Sequence, residues 1–397
     1  MVMKDGFKSL ARPSEARKLL LERCDPLERH HKVTLDEADG RVAAEDVTAS
    51  QPSPAFRRAA MDGYAVNASD TFGGSTNSPI RLSLVDDFEP GGRKASPIHT
   101  GAALPEGADA VLMFEDAEEV GRYVDVFSPV APGENVSPIG EDVEEGETLI
   151  HRGERLTPSQ LGLLRSLVIE EVPVVDRPRI GIVPTGEELV EPGRQPQRGE
   201  TVQSNGIMIE KYVERWGGNP QVRPVLSDRP ERIESGLDWG MKFDAVSFTG
   251  GSSVGRRDRL VEVLRRRGEV LVHGVAIQPG KPVALAIVEG VPVIALPGYP
   301  VATLVDAYFF LRPLIDKLLG SDEYELRGRV TLGRKIASSL GRLSVVRVAV
   351  KEGKAYPLRV SGSGVLSSVT RSDGFVLVPE DSEGIAEGVE VDLYYWR

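Results

Sequence analysis

The stretch Asp244-Ala-Val-Ser-Phe-Thr-Gly-Gly-Ser-Ser-Val-Gly-Arg-Arg-Asp258 determines how the chain is organised. Residues 244–248 form a short apolar run typical of a buried strand, and the run stops at Gly250. Residues 259–268 then place Leu260 and Leu264 on one helical face and end at a glycine, a common helix stop. The stretch therefore predicts a strand, a glycine turn and a helix.

The glycine turn predicts an anion-binding loop. In an open parallel sheet such a junction lies at the carboxyl edge of the strand, and glycines let backbone N–H groups face an anion. Asp258, close to the helix start, would repel a phosphate unless a cation lay between them, and Mg²⁺ suits both oxygen ligands. A glycine turn by itself more often does no more than turn the chain, so the ligand interpretation needs other strand ends to converge on it. The loop residues that we assign to substrate binding are Gly250, Gly251, Ser252, Ser253 and Gly255.

Composition limits the classes of function. The chain has 397 residues and a net charge of −12, so we expect about two to four domains and no nucleic-acid partner. Its one cysteine, Cys24, excludes an intrachain disulfide framework, and the five scattered histidines offer no zinc-like spacing. Any metal is therefore expected to bind through oxygen.

The sequence also argues against a membrane partner. The first residues lack the apolar core of a signal peptide, and the most apolar helix candidate, 301–319, contains Asp306, Arg312 and Asp316. We therefore expect a cytoplasmic protein.

The hydrophobic patterns divide the chain into four parts and predict an α/β plus β fold. Strands alternate with helices over residues 178–322, which predicts a doubly wound parallel sheet. Residues 47–139 carry short strands between Gly and Pro clusters and predict an inserted β domain. Residues 323–397 predict a small β barrel or sandwich, and residues 1–46 with 140–177 supply N-terminal helices and a connecting αβ region.

Three loops follow predicted strand ends: Thr185–Glu188, Thr249–Asp258 and Pro297–Pro300. Lys281, on an extended loop between Gly280 and Pro282, can add a positive charge for an anion. These residue types suit a small oxyanion or a phosphoanhydride. No Ser-His-Asp or Cys-His arrangement is visible, and the glycine loop lacks a Walker lysine, which disfavours an ordinary P-loop.

For the other acidic residues, spacing alone predicts a structural role and no site. Asp62 lies in an Asp-Gly pair, which is a turn signal, and the acidic run 141–147 is typical of a solvated hairpin.

Several colinear motifs together resemble the molybdopterin molybdenumtransferase family, of the MoeA and gephyrin E-domain type. The motifs span nearly the whole chain and lie at residues 50–66, 99–111, 140–142, 184–189, 204–205, 249–258, 278–282 and 296–300. The most specific is the Met-Asp-Gly-Tyr-Ala-Val segment at 61–66.

The resemblance implies a MogA-like molybdopterin-binding α/β domain in an elongated homodimer with four subdomains per chain. It implies binding of adenylylated molybdopterin and molybdate, or tungstate. The adenylate is then cleaved with Mg²⁺, molybdenum enters the dithiolene and AMP is released. The molybdopterin adenylyltransferase is a possible further partner.

The resemblance also assigns residues. Asp62 would reach the site from the partner subunit, and Thr100 and Asp142 would lie around the cleft. Glu188, Asp228 and Asp258 match acidic positions of the family, with Asp258 and Glu188 as metal ligands. The remaining assignments, for catalysis or substrate binding, are Lys281, Thr185, Ser204, Asn205, Pro297 and Pro300.

Two departures and two alternatives accompany this assignment. Gln278 replaces a lysine that is common in the family, and Tyr299 replaces an asparagine, so the oxyanion affinity or the choice of metal is expected to change. One alternative is the adenylyltransferase that makes the activated molybdopterin. The other is a non-catalytic molybdopterin carrier or scaffold, which would need the pocket but not the acids.

Overall fold

The computed structural model describes residues 10–250, 259–322, 325–358 and 362–396. Five predicted site residues lie outside the described residues: Gly251, Ser252, Ser253, Gly255 and Asp258.

The N-terminal half contains two small helices and many short strands. They are α1 (Pro13–Leu21), β1 (His30–Thr34), β2 (Val47–Thr48), β3 (Arg58–Ala59), β4 (Gly63–Val66), β5 (Ile80–Leu84), β6 (Lys94–Ile98), β7 (Ala110–Met113), β8 (Ala117–Val120), β9 (Tyr123–Val126), β10 (Val136–Ser137), β11 (Thr148–Ile150), α2 (Pro158–Ser166) and β12 (Glu171–Val175).

Two antiparallel pairs, β1 with β12 and β2 with β11, join the segments on either side of the inserted domain. Helix α2 starts at a capping box, in which the Thr157 hydroxyl accepts the Gln160 N–H and the Gln160 side chain accepts the Thr157 N–H. Leu156, Leu164 and Val172 pack in the core of this connecting region.

The inserted domain is a six-stranded sheet in the order β7-β4-β6-β5-β9-β8. Strand β4, from the Met-Asp-Gly-Tyr-Ala-Val segment, is buried along its whole length between β6 and β7. It begins at Gly63, where a Cβ would stand 2.0 Å from the Leu112 carbonyl oxygen. Only glycine lets β4 approach β7 this closely. This approach fixes the position of Asp62, the residue just before the start of β4.

The α/β domain contains β13 (Arg179–Pro184), β14 (Leu189–Val190), β15 (Thr201–Val202), α3 (Asn205–Arg215), β16 (Asn219–Val222), α4 (Pro230–Gly240), β17 (Ala245–Thr249), α5 (Arg259–Arg267), β18 (Gly268–His273), β19 (Ile277–Gln278), β20 (Ala284–Val288), β21 (Val291–Leu296), α6 (Pro300–Asp306) and α7 (Arg312–Leu319). A π-helical turn, Ala307–Leu311, joins α6 to α7.

The six strands of this domain have the order β16-β13-β17-β21-β20-β18. Helices cover both faces: α3, α6 and α7 contribute to one apolar core, and α4 and α5 to the other. The sheet is doubly wound as predicted, but β20 runs antiparallel to its two neighbours, β21 and β18, and so to the rest of the sheet. The two-residue turn Glu289-Gly290 has positive φ at both residues and can join only antiparallel strands.

The C-terminal domain contains β22 (Arg327–Leu332), β23 (Ile336–Ala337), β24 (Leu343–Lys351), β25 (Lys354–Pro357), α8 (Ser367–Thr370), β26 (Gly374–Val378), β27 (Gly384–Ile385) and β28 (Glu390–Tyr394). Its sheet has the order β19-β24-β25-β22-β28-β26, and a further pairing of β24 with β26 closes it into a small barrel. Strand β19 belongs to the α/β segment of the chain, so it ties the two domains together.

The predicted fold class, α/β plus β with a C-terminal barrel, is confirmed. The exact domain limits stay a prediction. None of the described helices is both long enough and apolar enough to span a membrane.

Candidate functional site

Three neighbouring parallel strands, β13, β17 and β21, end together at one edge of the α/β sheet. Their ends are joined by backbone hydrogen bonds: the Thr185 N–H donates to the Thr249 carbonyl at 3.0 Å, and the Gly250 N–H donates to the Leu296 carbonyl at 3.0 Å. The structure therefore brings the first residues of all three predicted loops into one place.

Gly250 has to be glycine. Its φ is +116°, and a Cβ there would stand 2.2 Å from the Thr185 carbonyl oxygen. Gly298 approaches from the third loop, where a Cβ would stand 3.7 Å from the Gly250 Cα. The Asn205 side-chain amide donates to the Gly298 carbonyl at 2.8 Å, which brings the start of α3 to the same edge. We call this assembly the strand-end pocket: Thr185, Thr249, Gly250, Asn205 and Gly298.

The strand-end pocket contains buried polar atoms that have no hydrogen-bond partner among the described residues. They are the hydroxyls of Thr185 and Thr249 and the side-chain oxygen of Asn205. An unsatisfied buried polar atom costs about 1–3 kcal/mol, so this arrangement is expected where a ligand supplies the missing bonds. The pocket suits a polar ligand.

Two predicted acids lie beside the strand-end pocket. Glu188 is exposed and folds back over Gly186, where a Cβ would stand 3.2 Å from its Oε1. Asp228 is half-buried, and its carbonyl accepts a 3.4 Å bond from Arg259 at the start of α5. Carboxylate oxygens are the donors that a hard divalent cation takes. Within the described ranges, which exclude Asp258, no group of three His, Cys, Asp or Glu side chains is placed to hold a metal.

Lys281 lies on the wall of a cavity between the α/β domain and the barrel. We call it the interdomain cleft, and its volume is about 720 Å³. Strand β19 pairs with β24 at Gln278 and Ser344, which holds the Lys281 loop against the barrel. The barrel adds Arg342 and Arg347 to the cleft wall, so three basic side chains line it. The cleft suits an anion.

Sequence reasoning missed Arg342 and Arg347. Arg347 is 9% exposed, and burial lowers the pKa of its guanidinium below the ordinary value because the charged form loses water there. The available signal was the position of Arg347 within the apolar strand Leu343-Ser-Val-Val-Arg-Val-Ala-Val350. A buried arginine in such a strand usually has a specific partner.

A buried acid lies behind the Lys281 loop. Asp306 is fully buried at the end of α6, and neither carboxyl oxygen has a hydrogen-bond partner among the described residues. Burial raises the pKa of Asp306 well above its usual range. Its Oδ1 faces Gly280, where a Cβ would stand 2.1 Å away, so the loop needs glycine at that point.

Asp62 forms a separate cluster in the inserted β domain. Its Oδ1 accepts the Thr100 N–H at 2.8 Å and the Thr100 hydroxyl at 3.2 Å, and the His99 Nδ1 lies 3.4 Å away. The hydrogen bonds from Thr100 lower the pKa of Asp62, so the side chain is ionised at neutral pH. Both Asp62 and His99 are exposed. We call these three residues the Asp62 cluster.

Asp142 is exposed on the segment that returns from the inserted domain, and its backbone N–H donates to the Ser53 carbonyl at 2.9 Å. Ser204 precedes α3 without capping it through its side chain. Pro297 accepts the Thr303 hydroxyl at 2.5 Å, and Pro300 is the first residue of α6. These residues stay predicted site residues.

Family models match the chain in three consecutive parts. The MoeA N-terminal region, domains I and II, matches residues 11–168; a "probable molybdopterin binding domain" matches residues 181–317; and the MoeA C-terminal region, domain IV, matches residues 329–396.

Similar proteins match over nearly the full length. A protein of Methanocaldococcus jannaschii, named for molybdopterin biosynthesis, is 39% identical over 98% of this chain and 98% of its own length. The molybdopterin molybdenumtransferase of Bacillus subtilis is 32% identical over 92% of this chain and 89% of its own. The crystal structure of the molybdopterin biosynthesis MoeA protein of Pyrococcus horikoshii superposes with a TM-score of 0.87 at 35% identity, covering 98% of this chain and all of that one.

The fold and the strand-end pocket define a multidomain protein with a β insertion, a C-terminal β barrel and an α/β domain whose strand ends suit a polar ligand. The comparisons with known proteins identify the family of this chain. The chain belongs to the MoeA family, and the resemblance inferred from the motifs is confirmed.

Proposed function

We propose that this protein acts in molybdenum cofactor biosynthesis and inserts molybdenum into adenylylated molybdopterin, with release of AMP. The observation that carries the proposal is the strand-end pocket, where three buried oxygens of Thr185, Thr249 and Asn205 find no hydrogen-bond partner among the described residues next to Gly250. This pocket lies within the part of the chain that matches the molybdopterin-binding domain. Curated relatives at 31–32% identity are named molybdopterin molybdenumtransferases.

The strand-end pocket and the interdomain cleft suggest where each of the two substrates binds. The strand-end pocket offers backbone and hydroxyl groups to the phosphates of the adenylylated pterin. The interdomain cleft offers Lys281, Arg342 and Arg347 to molybdate or tungstate, because a divalent oxyanion is best held by several cations in a partly desolvated site. Gln278 lies in the same wall without a charge, so we expect a weaker electrostatic attraction than a second lysine would give.

We further propose that Mg²⁺ is the metal cofactor. Glu188 and Asp258, with Asp228 beside them, would hold it, and their oxygens fit the donor set that Mg²⁺ prefers. When bound, the ion would neutralise the phosphoanhydride and make its cleavage easier. The predicted roles of Ser204, Pro297 and Pro300 are to shape the pocket around the substrate.

A homodimer completes the proposal. In the described part of the chain, the hydrogen bonds and ion pairs of residues 58–137 stay within residues 57–137, so the Asp62 cluster makes no such bond to the described residues of its own α/β domain. We propose that Asp62, Thr100 and Asp142 face the strand-end pocket of a second copy. We expect the dimer in the cytoplasm, where the adenylyltransferase can hand over its product.

The test is AMP release from adenylylated molybdopterin, measured without oxyanion, with molybdate and with tungstate, each in Mg²⁺ or EDTA. We expect oxyanion-dependent AMP release, transfer of the metal to the pterin, and loss of both with EDTA. Binding of the pterin without AMP release in any condition would contradict the proposal and favour a carrier. Formation of adenylylated molybdopterin from ATP would favour the adenylyltransferase.

A further inference from the structure

Tyr299 is an exposed aromatic residue at the boundary of the two cavities. It is 65% exposed and lines the interdomain cleft. It directly follows Gly298, whose carbonyl accepts the Asn205 amide in the strand-end pocket. Tyr299 is therefore one residue away from the strand-end pocket along the chain, and its side chain lines the cleft.

The backbone under the ring is held firmly. The Tyr299 carbonyl accepts both the N–H and the hydroxyl of Thr303 at 2.9 Å, and Pro300 follows it. The Val301 N–H donates to the Ser363 carbonyl of the C-terminal domain at 2.9 Å. Tyr299 thus presents a large apolar surface from a rigid base, which is how a preorganised binding residue is usually held.

The barrel domain supports one edge of the ring. A Cβ on Gly364 would stand 3.4 Å from Cδ1 and 3.8 Å from Cε1 of Tyr299, so the ring lies beside a residue without a side chain. The remaining ring surface is exposed toward the cleft. Aromatic faces of this kind stack with flat heteroaromatic rings, and a tyrosine loses little rotamer freedom when it does so.

We propose that Tyr299 stacks on a fused heteroaromatic ring of the substrate, either the adenine or the pterin. This inference rests on the proposed function and adds a residue that determines how the substrate is recognised. The basic residues Lys281 and Arg342 line the same cleft and can hold charged groups while the ring holds the base. The asparagine expected from the family resemblance offers no ring at this position. In this chain, Gln278 lacks a charge and Tyr299 adds a stacking surface.

The test is the binding of three probes to the full-length protein, measured by calorimetry. AMP carries adenine, a pterin phosphate carries the pterin, and pyrophosphate carries charge without a ring. We expect Tyr299→Ala to weaken one of the two ring-containing probes by about 5- to 100-fold and to leave pyrophosphate unchanged. The probe that weakens identifies the ring.

Two further variants separate stacking from other effects. Tyr299→Phe keeps the ring and removes the hydroxyl, so its affinities should stay within about twofold of wild type. Tyr299→Leu keeps apolar bulk without the aromatic face and should behave like Tyr299→Ala. Equal affinities of wild type and Tyr299→Ala for both ring-containing probes would overturn the stacking role, as would an equal loss for pyrophosphate. Failure of the wild type to bind any probe would overturn the proposed function itself.

Discussion

The strand-end pocket and the Asp62 cluster hold polar side chains in opposite ways. In the pocket, Thr185 is 3% exposed and its hydroxyl has no partner among the described residues. In the cluster, Asp62 is exposed and accepts two hydrogen bonds from Thr100. The first arrangement is costly without a ligand, whereas the second is satisfied within its own domain.

This difference indicates what each region lacks. The pocket lacks hydrogen-bond partners, which a bound substrate can supply. The Asp62 cluster lacks an opposing surface, because an exposed, preorganised carboxylate can act on a substrate only when a substrate-binding surface faces it. If the two regions combine across a dimer, the second subunit supplies the opposing surface and the substrate bound between them supplies the missing hydrogen bonds.

Mixing two inactive variants tests that combination most strongly. We expect Asp62→Asn and Glu188→Gln each to lower AMP release by about 100- to 1,000-fold, because each removes a charged group from the site. If the two residues act from different subunits, random subunit exchange should restore roughly a quarter of the activity, since one site in each mixed dimer is intact. The activity of the mixture, measured after exchange, decides the matter. No recovery in a mixture shown to contain mixed dimers would place both residues in one subunit's site.

Replacing a glycine in each region should have unequal effects. Gly250→Ala adds a Cβ at 2.2 Å from a backbone oxygen at a φ of +116°, so we expect a loss of about 2 kcal/mol or more in the free energy of unfolding. Gly101→Ala, next to Thr100, meets no atom within 4 Å and has only the strain of its φ of +86°, a cost of about 1 kcal/mol. Chemical denaturation compares the two variants. Equal losses would show that the close approach in the pocket is unimportant.

Removing one hydroxyl from each region separates ligand binding from stability. Thr185→Val removes an unsatisfied buried group, so we expect unchanged or higher stability and about tenfold weaker binding of the pterin substrate. Thr100→Val removes one exposed bond to Asp62 but keeps the backbone N–H bond, so stability should change by less than about 0.5 kcal/mol. Thermal unfolding and substrate titration measure both effects. A clear loss of stability in Thr185→Val would mean that its hydroxyl is satisfied within the protein.

Buried Asp306 and exposed Asp62 should make the stability of the protein depend on pH with opposite sign. The pKa of buried Asp306 is raised, so the unfolded chain ionises near pH 4 while the folded chain stays neutral, and stability falls as pH rises above that value. The pKa of Asp62 is lowered, so its contribution is present above the unfolded pKa and is lost as pH falls through the folded pKa. From pH 4 to pH 7, Asp306→Asn should gain stability relative to wild type. Asp62→Asn should lose stability relative to wild type as pH rises toward about 4, the upper end of the window set by its lowered folded pKa, and should change little above it. Denaturation below pH 4, at pH 4 and at pH 7 measures the two differences, and parallel curves would contradict the assignment.

The sequence was informative where the signal is local. The alternation of apolar runs and helical faces over 178–322 predicted the doubly wound domain, and Gly250 was predicted at a strand end, where it lies. The capping box at Thr157 and Gln160 is likewise set by residues three positions apart. Each of these features depends on residues close together in the chain.

Features that depend on long-range contacts were missed. Arg347 lines the same cleft as Lys281 because β24 pairs with β19, across more than sixty residues of chain. The antiparallel direction of β20 follows from the turn at Glu289-Gly290, whose positive φ angles the hydrophobic pattern does not reveal. Asp258 lies outside the described residues, so its role stays a prediction.

The pairing of β19 with β24 also limits how the protein can be divided. Because Ile277 and Gln278 lie beside Leu343 and Ser344 in the barrel sheet, a chain ending near residue 322 would expose an unpaired strand edge and release the Lys281 loop. The α/β domain is therefore not a portable module that can be cut out at the end of α7. An engineered fusion or a minimal version of this protein must keep the C-terminal barrel attached.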